Sequence, residues 1–569
     1  MRKMLQAGLL LSLVALAAVA RGESFPVVIK VDAAKPEGDL KPIWRFFGAD
    51  EPNYATMKNG KKLIGELGEL APKQVYFRAH NLLTSGDGTP APKWGSTGAY
   101  SEDANGKPVY NWKILDGIFD TYLKNGVKPY AQIGFMPKEM SVHPDPYQHS
   151  WSPGSNYGNI YTGWSYPPKD YEKWGELAYQ WVAHCVKKYG RKEVESWYWE
   201  VWNEPNIGYW LGGTNENPKL HGTTNDFLKL HDYAIAGVRR ALPTAKVGGA
   251  DTAGDGGNFT RVFLEHCLRG TNYATGQVGT PIDFMSFHAK GAPAFTNGHV
   301  RMGIQNQLRT IDTAFRRYAS YPELKGKPIV IGESDPDGCA ACEASKYPAN
   351  RYRNRAQFAT YTVASIARMH DIAANRGVNL EGSLTWSFQF EDAKPFDGYR
   401  TLASGGLDKP VMNAFRMMSQ MSGKKLLVES DHAVSLTNIM RRGVRMEPDV
   451  AALASLDKKT LCVLVWHYHD DDLPGPDAEV DVALDNIPMA KGTAKLQHFR
   501  IDEDHSNAVT AWMKMGAPKE LTSAQYKQLE KAGQLEAMGA TQKVSVNDGK
   551  ALVKLTLPRQ GISLLKLTW

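Results

Sequence analysis

The chain has 569 residues, 42% of them hydrophobic and 22% charged, with a formal net charge of +7. That length exceeds one ordinary domain, and the composition excludes a disordered chain. The positive charge is spread along the sequence with no basic block, so nucleic-acid binding has little support.

Met1-Arg2-Lys3 precedes an apolar run from Leu9 to Val19 and the small residues Ala18-Val19-Ala20. A charged start, a short apolar centre and a small-residue cleavage site predict a secretory signal peptide over 1–20, and export to the periplasm or outside. No Cys follows the cut, so no lipid anchor is expected, and no later stretch is long and apolar enough to span a membrane. The five Cys (185, 267, 339, 342 and 462) are too few for a disulfide scaffold. Only Cys339 and Cys342 are close; in an oxidising compartment a local disulfide is the first reading, ahead of a redox motif or zinc.

Phe25–Val31 reads as a strand. Strand-like runs then alternate with helical patterns: Trp44–Gly48, Gln74–Arg78, Lys128–Ile133, Trp197–Trp202, Lys246–Gly249, Asp283–Phe287, Pro328–Gly332 and Ser383–Phe388. The helical patterns include Trp112–Asn125, Tyr171–Tyr189, Asp226–Ala241, Gln305–Ala319 and Arg355–Ala374. Eight strands alternating with helices favour an α/β fold, a (β/α)8 TIM barrel over 21–422. An open doubly wound sheet is disfavoured, because no Gly-rich phosphate loop follows the first strand. After a last helix at Val411–Met421, short alternating runs predict a C-terminal β-sandwich over 423–569 with a helical insertion near 523–538. The strand at 25–31 is a candidate to join that sandwich. Asp470-Asp471-Asp472 reads as a solvated turn, with calcium a minor alternative.

In a barrel of this kind, chemistry sits at the C-terminal ends of the strands. Those ends carry Asp50-Glu51, His80-Asn81, Asn203-Glu204, Asp251, His288 with Lys290, Glu333-Ser334-Asp335 and Glu391-Asp392. The fourth strand ends in Trp202-Asn203-Glu204-Pro205, where Pro205 stops pairing. Alternation would place Trp197, Trp199 and Val201 on one face and Tyr198, Glu200 and Trp202 on the other. The seventh strand ends in Gly332-Glu333-Ser334-Asp335-Pro336. Carboxylates from strands four and seven can reach over the barrel mouth toward one bond, which suits glycoside hydrolysis. A helix-capping Glu204, a Glu333 paired with a barrel Arg, and Asp335 as a competing acid are the plainer alternatives.

Trp202-Asn203-Glu204-Pro205 together with a Glu ending strand seven resembles the retaining glycosidases that carry their carboxylates on those two strands. Within them the chain resembles glycoside hydrolase family 39, the family of β-xylosidases and α-L-iduronidases. The resemblance includes Phe77-Arg78-Ala79-His80, Leu264–Cys267, Gly270–Asn272, Ser286–Gly291 and Glu333–Pro336 in the barrel, and Arg500–Asp502 with His505–Asn507 in the sandwich. It implies a retaining exo-glycosidase with Glu204 as general acid/base, Glu333 as nucleophile and Asn203 as a sugar contact. His80, His288, Trp386 and Glu391 are further candidate substrate contacts, each His having a satisfied core residue as its alternative.

The barrel half is similar to iduronidase-like members, in which a Lys after the strand-six His and an Arg after strand eight hold a substrate carboxylate. Lys290 and Arg400 match those positions; alternatively Lys290 pairs with a barrel acid and Arg400 anchors its loop. Asp337-Gly338-Cys339 departs from the iduronidase pattern, and Arg500–Asn507 is closer to the β-xylosidases. The first expected activity is therefore β-xylosidase on plant-type oligosaccharide or polysaccharide, with uronidase second. No metal site or cofactor is expected, since the chemistry needs none. A carbohydrate-binding protein without catalysis is the rival of another class, which two opposed carboxylates argue against. A peptidase or esterase ranks low because no Gly-x-Ser-x-Gly or His-Glu-x-x-His motif occurs.

Overall fold

The computed structural model describes residues 22–569 except 153, 156, 212–222, 387 and 392. The leader at 1–20 and Asp392 lie outside the described residues.

Eight parallel strands close a barrel: β2 (Phe46–Ala49), β3 (Val75–Ala79), β4 (Val127–Ile133), β5 (Tyr198–Val201), β6 (Lys246–Thr252), β7 (Phe284–Lys290), β8 (Pro328–Asp335) and β9 (Asn379–Trp386). They close in chain order, with β9 beside β2. The helices between and after them are α1 (Lys58–Leu70), α2 (Lys113–Lys124), α3 (Tyr171–Tyr189), α4 (Thr224–Ala241), α5 (Gly257–Arg269), α6 (Ile304–Ala319), α7 (Ala356–Arg376) and α8 (Pro410–Met418). Strands four and seven of the barrel are thus β5 and β8, as the sequence implies.

Alternation along β5 explains how the barrel is filled. Tyr198 points inward to a cluster with Phe46, Tyr76, Tyr130, Phe284 and Leu384, while Trp197, Trp199 and Val201 pack outward among the helices. The expected alternation fails at Trp202. The strand stops at Val201, Trp202 takes a left-handed backbone (φ 71°), and its ring joins the outer cluster against Phe135, Trp174 and Trp210. Its indole N–H donates to Tyr209 O at 2.9 Å, which holds it there.

The second domain is one sheet folded over on itself as a sandwich. Its strands are β10 (Lys424–Ser430), β11 (Asp449–Asp457), β12 (Thr460–Tyr468), β13 (Ala478–Asp485), β14 (Lys491–Ile501), β15 (Gln542–Asn547), β16 (Ala551–Leu557) and β17 (Ile562–Thr568). The amino-terminal strand β1 (Phe25–Asp39) belongs to this sheet, antiparallel to β10 and parallel to β13. Alternate residues Val27, Ile29 and Val31 of β1 enter the sandwich core with Val480, Val482, Val463, Val465 and Leu565. Two short helices, Ala508–Lys514 and Ser523–Ala532, sit between β14 and β15. The first of them is absent from the sequence reading.

The two domains share buried polar contacts. Thr360 Oγ1 on α7 donates to Gln560 O at 2.6 Å, and Arg368 pairs with Asp449 at 2.8 Å. Asp470-Asp471-Asp472 is part of this junction, which corrects the solvated-turn reading. Asp470 is fully buried and accepts from Tyr468 OH, Asp471 pairs with Arg301, and Asp472 pairs with Arg355. Burial pushes the Asp470 carboxyl up to about 7. Cys339 and Cys342 are joined by a disulfide in the loop after β8, and Cys185, Cys267 and Cys462 are buried thiols. Among the described residues no helix is long and apolar enough to cross a membrane, and no cluster of His, Cys, Asp and Glu is arranged to hold a metal ion.

Candidate active site

Above the aromatic filling of the barrel lies a layer of buried charge. Arg78, two residues before His80 on the same face of β3, is fully buried. Its Nε donates to Glu200 at 2.7 Å and one Nη to Asn203 Oδ1 at 3.1 Å, and it also pairs with Asp251. Glu200 additionally accepts from Tyr130 OH at 2.8 Å and from Ser286 Oγ. A buried guanidinium is tolerable only when its donors are met by carboxylates and carbonyls, and here they are.

This layer carries the residues at the mouth. Glu204 follows Pro-terminated β5 with φ 42°, and its N–H donates to Asp251 O at 2.9 Å. Glu333 is aimed by a bulge: Ile331 pairs with Phe287 and Glu333 with His288, so Gly332 is the extra residue. A Cβ at Gly332 would lie 1.9 Å from Asp251 Oδ1, so only glycine lets that carboxylate approach β8.

His288 joins the two carboxyl groups. Its Nδ1 is 2.8 Å from Glu204 Oε1 and 3.8 Å from Glu333 Oε1, and its Nε2 is 2.8 Å from Asp251 Oδ2. The two oxygens can therefore be no further apart than those first two distances laid end to end. Retaining enzymes hold their carboxyl groups ~5–5.5 Å apart and inverting ones ~6.5–9.5 Å; so close an approach of one oxygen from each group fits the retaining arrangement. Burial opposes a charge on His288, yet Asp251, Glu333 and Glu204 outweigh it and hold the imidazole up to about 10.

Glu333 lies among basic side chains. Lys290 Nζ is 2.6 Å from its Oε2, His80 Nε2 is 3.7 Å and Arg78 3.9 Å from its Oε1. Burial would raise its pKa, but Lys290, His288, His80 and Arg78 together lower it to about 2. Glu333 is thus ionised at any ordinary pH. His80 itself is anchored by Asp50 at 2.7 Å and lies against the Trp386 ring at a centroid distance of 4.3 Å; burial pushes its pKa down. Trp386 in turn rests on Gly48, where a Cβ would lie 2.5 Å from the ring.

Both carboxylates open into a cavity of about 320 Å³ lined by Asp50, Lys93, Tyr161, Tyr209, Lys290 and Trp386 among others. That is the lower end of the ~300–1,000 Å³ usual for small-ligand pockets. A rigid ionised carboxylate and a second carboxyl close by, both facing one small cavity, can attack a sugar carbon and protonate the departing oxygen.

Glu204, Glu333, Lys290 and Trp386 line this cavity, His80 and His288 stand behind it in contact with the carboxyl groups, and Asn203 is held by Arg78. Two predicted contacts are placed otherwise. Arg400 is 1% exposed and donates to Asp337 Oδ1 at 2.7 Å and Trp386 O at 3.2 Å, with Asp335 at 3.3 Å. It anchors the loop after β8 and does not line the cavity. Glu391 accepts from Gly60 N at 2.8 Å and Asn59 Nδ2 at 2.9 Å, so it satisfies donors in the first turn of α1 and takes no part in the site. Lys290 pairs with Asp335 as well as Glu333, the barrel-acid alternative, while still lining the cavity. Missed at the sequence level are Arg78 and Glu200 beneath the site, and Lys93, Tyr161 and Tyr209 on its wall; Asp50 and Asp251 are read from sequence only as polar residues at strand ends, with no role. The i, i+2 spacing of Arg78 and His80 could have placed Arg78; Lys93 and Tyr161 lie in loops with no such period.

A family model for glycosyl hydrolases family 39 matches residues 27–548. A β-xylosidase of Geobacillus stearothermophilus is 25% identical over 86% of this chain and 86% of its own length. An α-L-iduronidase of Mus musculus is 25% identical over 89% of this chain and 75% of its own length. The crystal structure of a monomeric β-xylosidase from Caulobacter crescentus CB15 covers 95% of this chain and 99% of that one, with a TM-score of 0.73 at 20% identity, a likeness of fold. The chain is a glycosidase that belongs to glycosyl hydrolases family 39.

Proposed function

We propose that this protein is an exported, retaining exo-glycosidase, and that its first activity is that of a β-xylosidase. The observation that carries the mechanism is the shared contact of Glu204 and Glu333 with His288 Nδ1 at the mouth of one small cavity. In the reading offered, Glu204 gives its proton to the glycosidic oxygen as the carboxylate of Glu333 attacks the anomeric carbon. A glycosyl–Glu333 ester forms and the aglycone leaves. Glu204, now ionised, takes a proton from water, which displaces Glu333 and restores the anomeric configuration. His288 hydrogen-bonds Glu204, and its charge stabilises the carboxylate that Glu204 becomes once its proton has been given to the leaving oxygen. Asn203, fixed by Arg78, is the proposed contact for a ring hydroxyl near the anomeric carbon.

The cations favour an uncharged sugar. Arg400 spends its donors on Asp335, Asp337 and a carbonyl, and Lys290 spends its charge on Glu333 and Asp335. A uronate would have to compete with carboxylates already in place. The uronidase reading keeps one supporting observation, that Lys290 lines the cavity beside Glu333. Export is supported by the leader pattern at 1–20 and by the Cys339–Cys342 disulfide, a bond suited to an oxidising compartment. The test is initial-rate hydrolysis of aryl β-xyloside, α-arabinoside, β-glucoside and α-iduronide. The β-xyloside is expected to turn over fastest; preference for the iduronide would reverse the order of the two activities, and binding without turnover of any would point to the non-catalytic rival.

A further inference from the structure

One wall of the cavity is built around an ion pair. Asp50 Oδ2 is 3.0 Å from Lys93 Nζ, and Asp50 Oδ1 is 2.7 Å from His80 Nδ1. Both Asp50 and Lys93 line the cavity that Glu204 and Glu333 face, and both are buried, at 5% and 8% exposed. A lysine on a loop is ordinarily a solvated side chain, but this loop is pinned. Lys93 has a left-handed backbone (φ 59°), and its N–H donates to the carboxyl of Glu51. Three residues on, Ser96 exchanges two hydrogen bonds with the Asn53 side chain, at 2.8 and 2.9 Å, and Thr97 Oγ1 donates to Leu82 O at 2.8 Å. The segment after β3 is thus tied to the segment after β2, and the tie presents Lys93 and Asp50 side by side.

Behind the pair, His149, Ile160, Trp164 and Tyr209 close the wall around a space of about 10 Å³, no larger than a water. A sugar seated at Glu333 therefore meets Asp50 and Lys93 as an end wall. An ammonium and a carboxylate side by side are the complement of two neighbouring hydroxyls. One hydroxyl oxygen accepts from the ammonium, and the next hydroxyl donates to the carboxylate. His80 is the measure of position: it touches Asp50 on one side and stands 3.7 Å from Glu333 on the other, so the pair sits one imidazole away from the attacking oxygen.

We propose that Asp50 and Lys93 clamp two adjacent ring hydroxyls of the terminal sugar, those remote from the anomeric carbon, and so admit only a non-reducing end. This rests on the exo-glycosidase reading above and names the residues that make it exo. A glycosyl or acyl substituent on either hydroxyl would meet the closed wall.

The test uses the aryl glycoside of the panel that the full-length wild type turns over fastest, with its 3-deoxy and 4-deoxy analogues. Turnover of the parent glycoside reports on the glycosidase reading, and the parent-to-deoxy ratio reports on the clamp alone. Removing a clamped hydroxyl is expected to lower wild-type kcat/KM roughly 10- to 100-fold, the scale of a hydrogen bond to a charged group. In Lys93→Met one of the two deletions, and in Asp50→Ala the other, should cost less than about twofold, because that hydroxyl's partner is already gone. The ratio is taken within each variant, so a partly misfolded preparation does not change it. A full deoxy penalty in both variants, or no penalty for either analogue in the wild type, would overturn the proposal.

Discussion

Lys290 Nζ stands 2.6 Å from Glu333 Oε2, inside a site where Glu333 also faces His288, His80 and Arg78. The contact makes Lys290 a device for keeping Glu333, the attacking group of the proposed mechanism, ionised. Lys290→Met should lower kcat/KM by about 10- to 100-fold and move the acid limb of its pH profile upward, since the cation in direct contact with Glu333 is removed. An unmoved acid limb, with a KM increase confined to glycuronides, would instead make Lys290 a reader of the substrate carboxylate.

Arg400 is predicted to matter for stability before substrate. Its removal takes the shared cation from buried Asp335 and Asp337 but leaves Asp335 with Lys290 and Asp337 with Arg353, so the cost should be less than the about 3–5 kcal/mol of a fully broken buried pair. Arg400→Met should therefore shift the urea midpoint downward by a matching amount while the KM of the folded fraction changes little. A wild-type midpoint with a raised KM for glycuronides would contradict the placement.

Two buried groups set a pH window. His288 titrates at about 10 in the folded protein, above its ordinary value of 6.5, so the stability it contributes is full below about 6.5 and is lost as pH rises through about 10. Glu333 titrates at about 2, below its ordinary 4.5, so its contribution is full above about 4.5 and is lost as pH falls through about 2. Thermal midpoints measured across pH should show a plateau between these limits, and His288→Gln should flatten the alkaline side. An alkaline side identical to wild type would remove His288 from the account.

Glu391 offers the opposite kind of test. Glu391→Ala should cost about 1 kcal/mol, the scale of a lost helix cap, because Gly60 N and Asn59 lose their acceptor. Activity on the best aryl glycoside should stay within about twofold. A large fall in kcat/KM at unchanged stability would return Glu391 to the site.

The barrel and its two carboxylates were legible in the sequence for one physical reason. A strand buried on both faces is a short apolar run, and its end is marked by Gly, Pro and charge, as at Trp202–Pro205 and Gly332–Pro336. What was not legible depends on partners distant in the chain. Alternation placed Trp202 inward, but a left-handed residue after the last paired position turned it outward onto Trp174 and Trp210. Arg400 and Glu391 are charged residues after strand eight in the same way that Lys290 is charged after strand six. Only the fold shows that Arg400 meets two Asp side chains and Glu391 a helix amino terminus, whereas Lys290 meets Glu333. Lys93 lies in a loop with no periodicity, and its place beside Asp50 follows from hydrogen bonds made by Asn53, Glu51 and Ser96.

The central claim is that Glu333 forms a bond to the sugar. An activated 2-deoxy-2-fluoro glycoside slows breakdown of the ester more than it slows its formation when the leaving group is good, so the intermediate accumulates. Incubation should abolish activity and add one glycosyl mass to the protein, and peptide mapping should place that mass on Glu333. An adduct on Asp335 or Glu204, or product of inverted configuration with no adduct at all, would contradict the account.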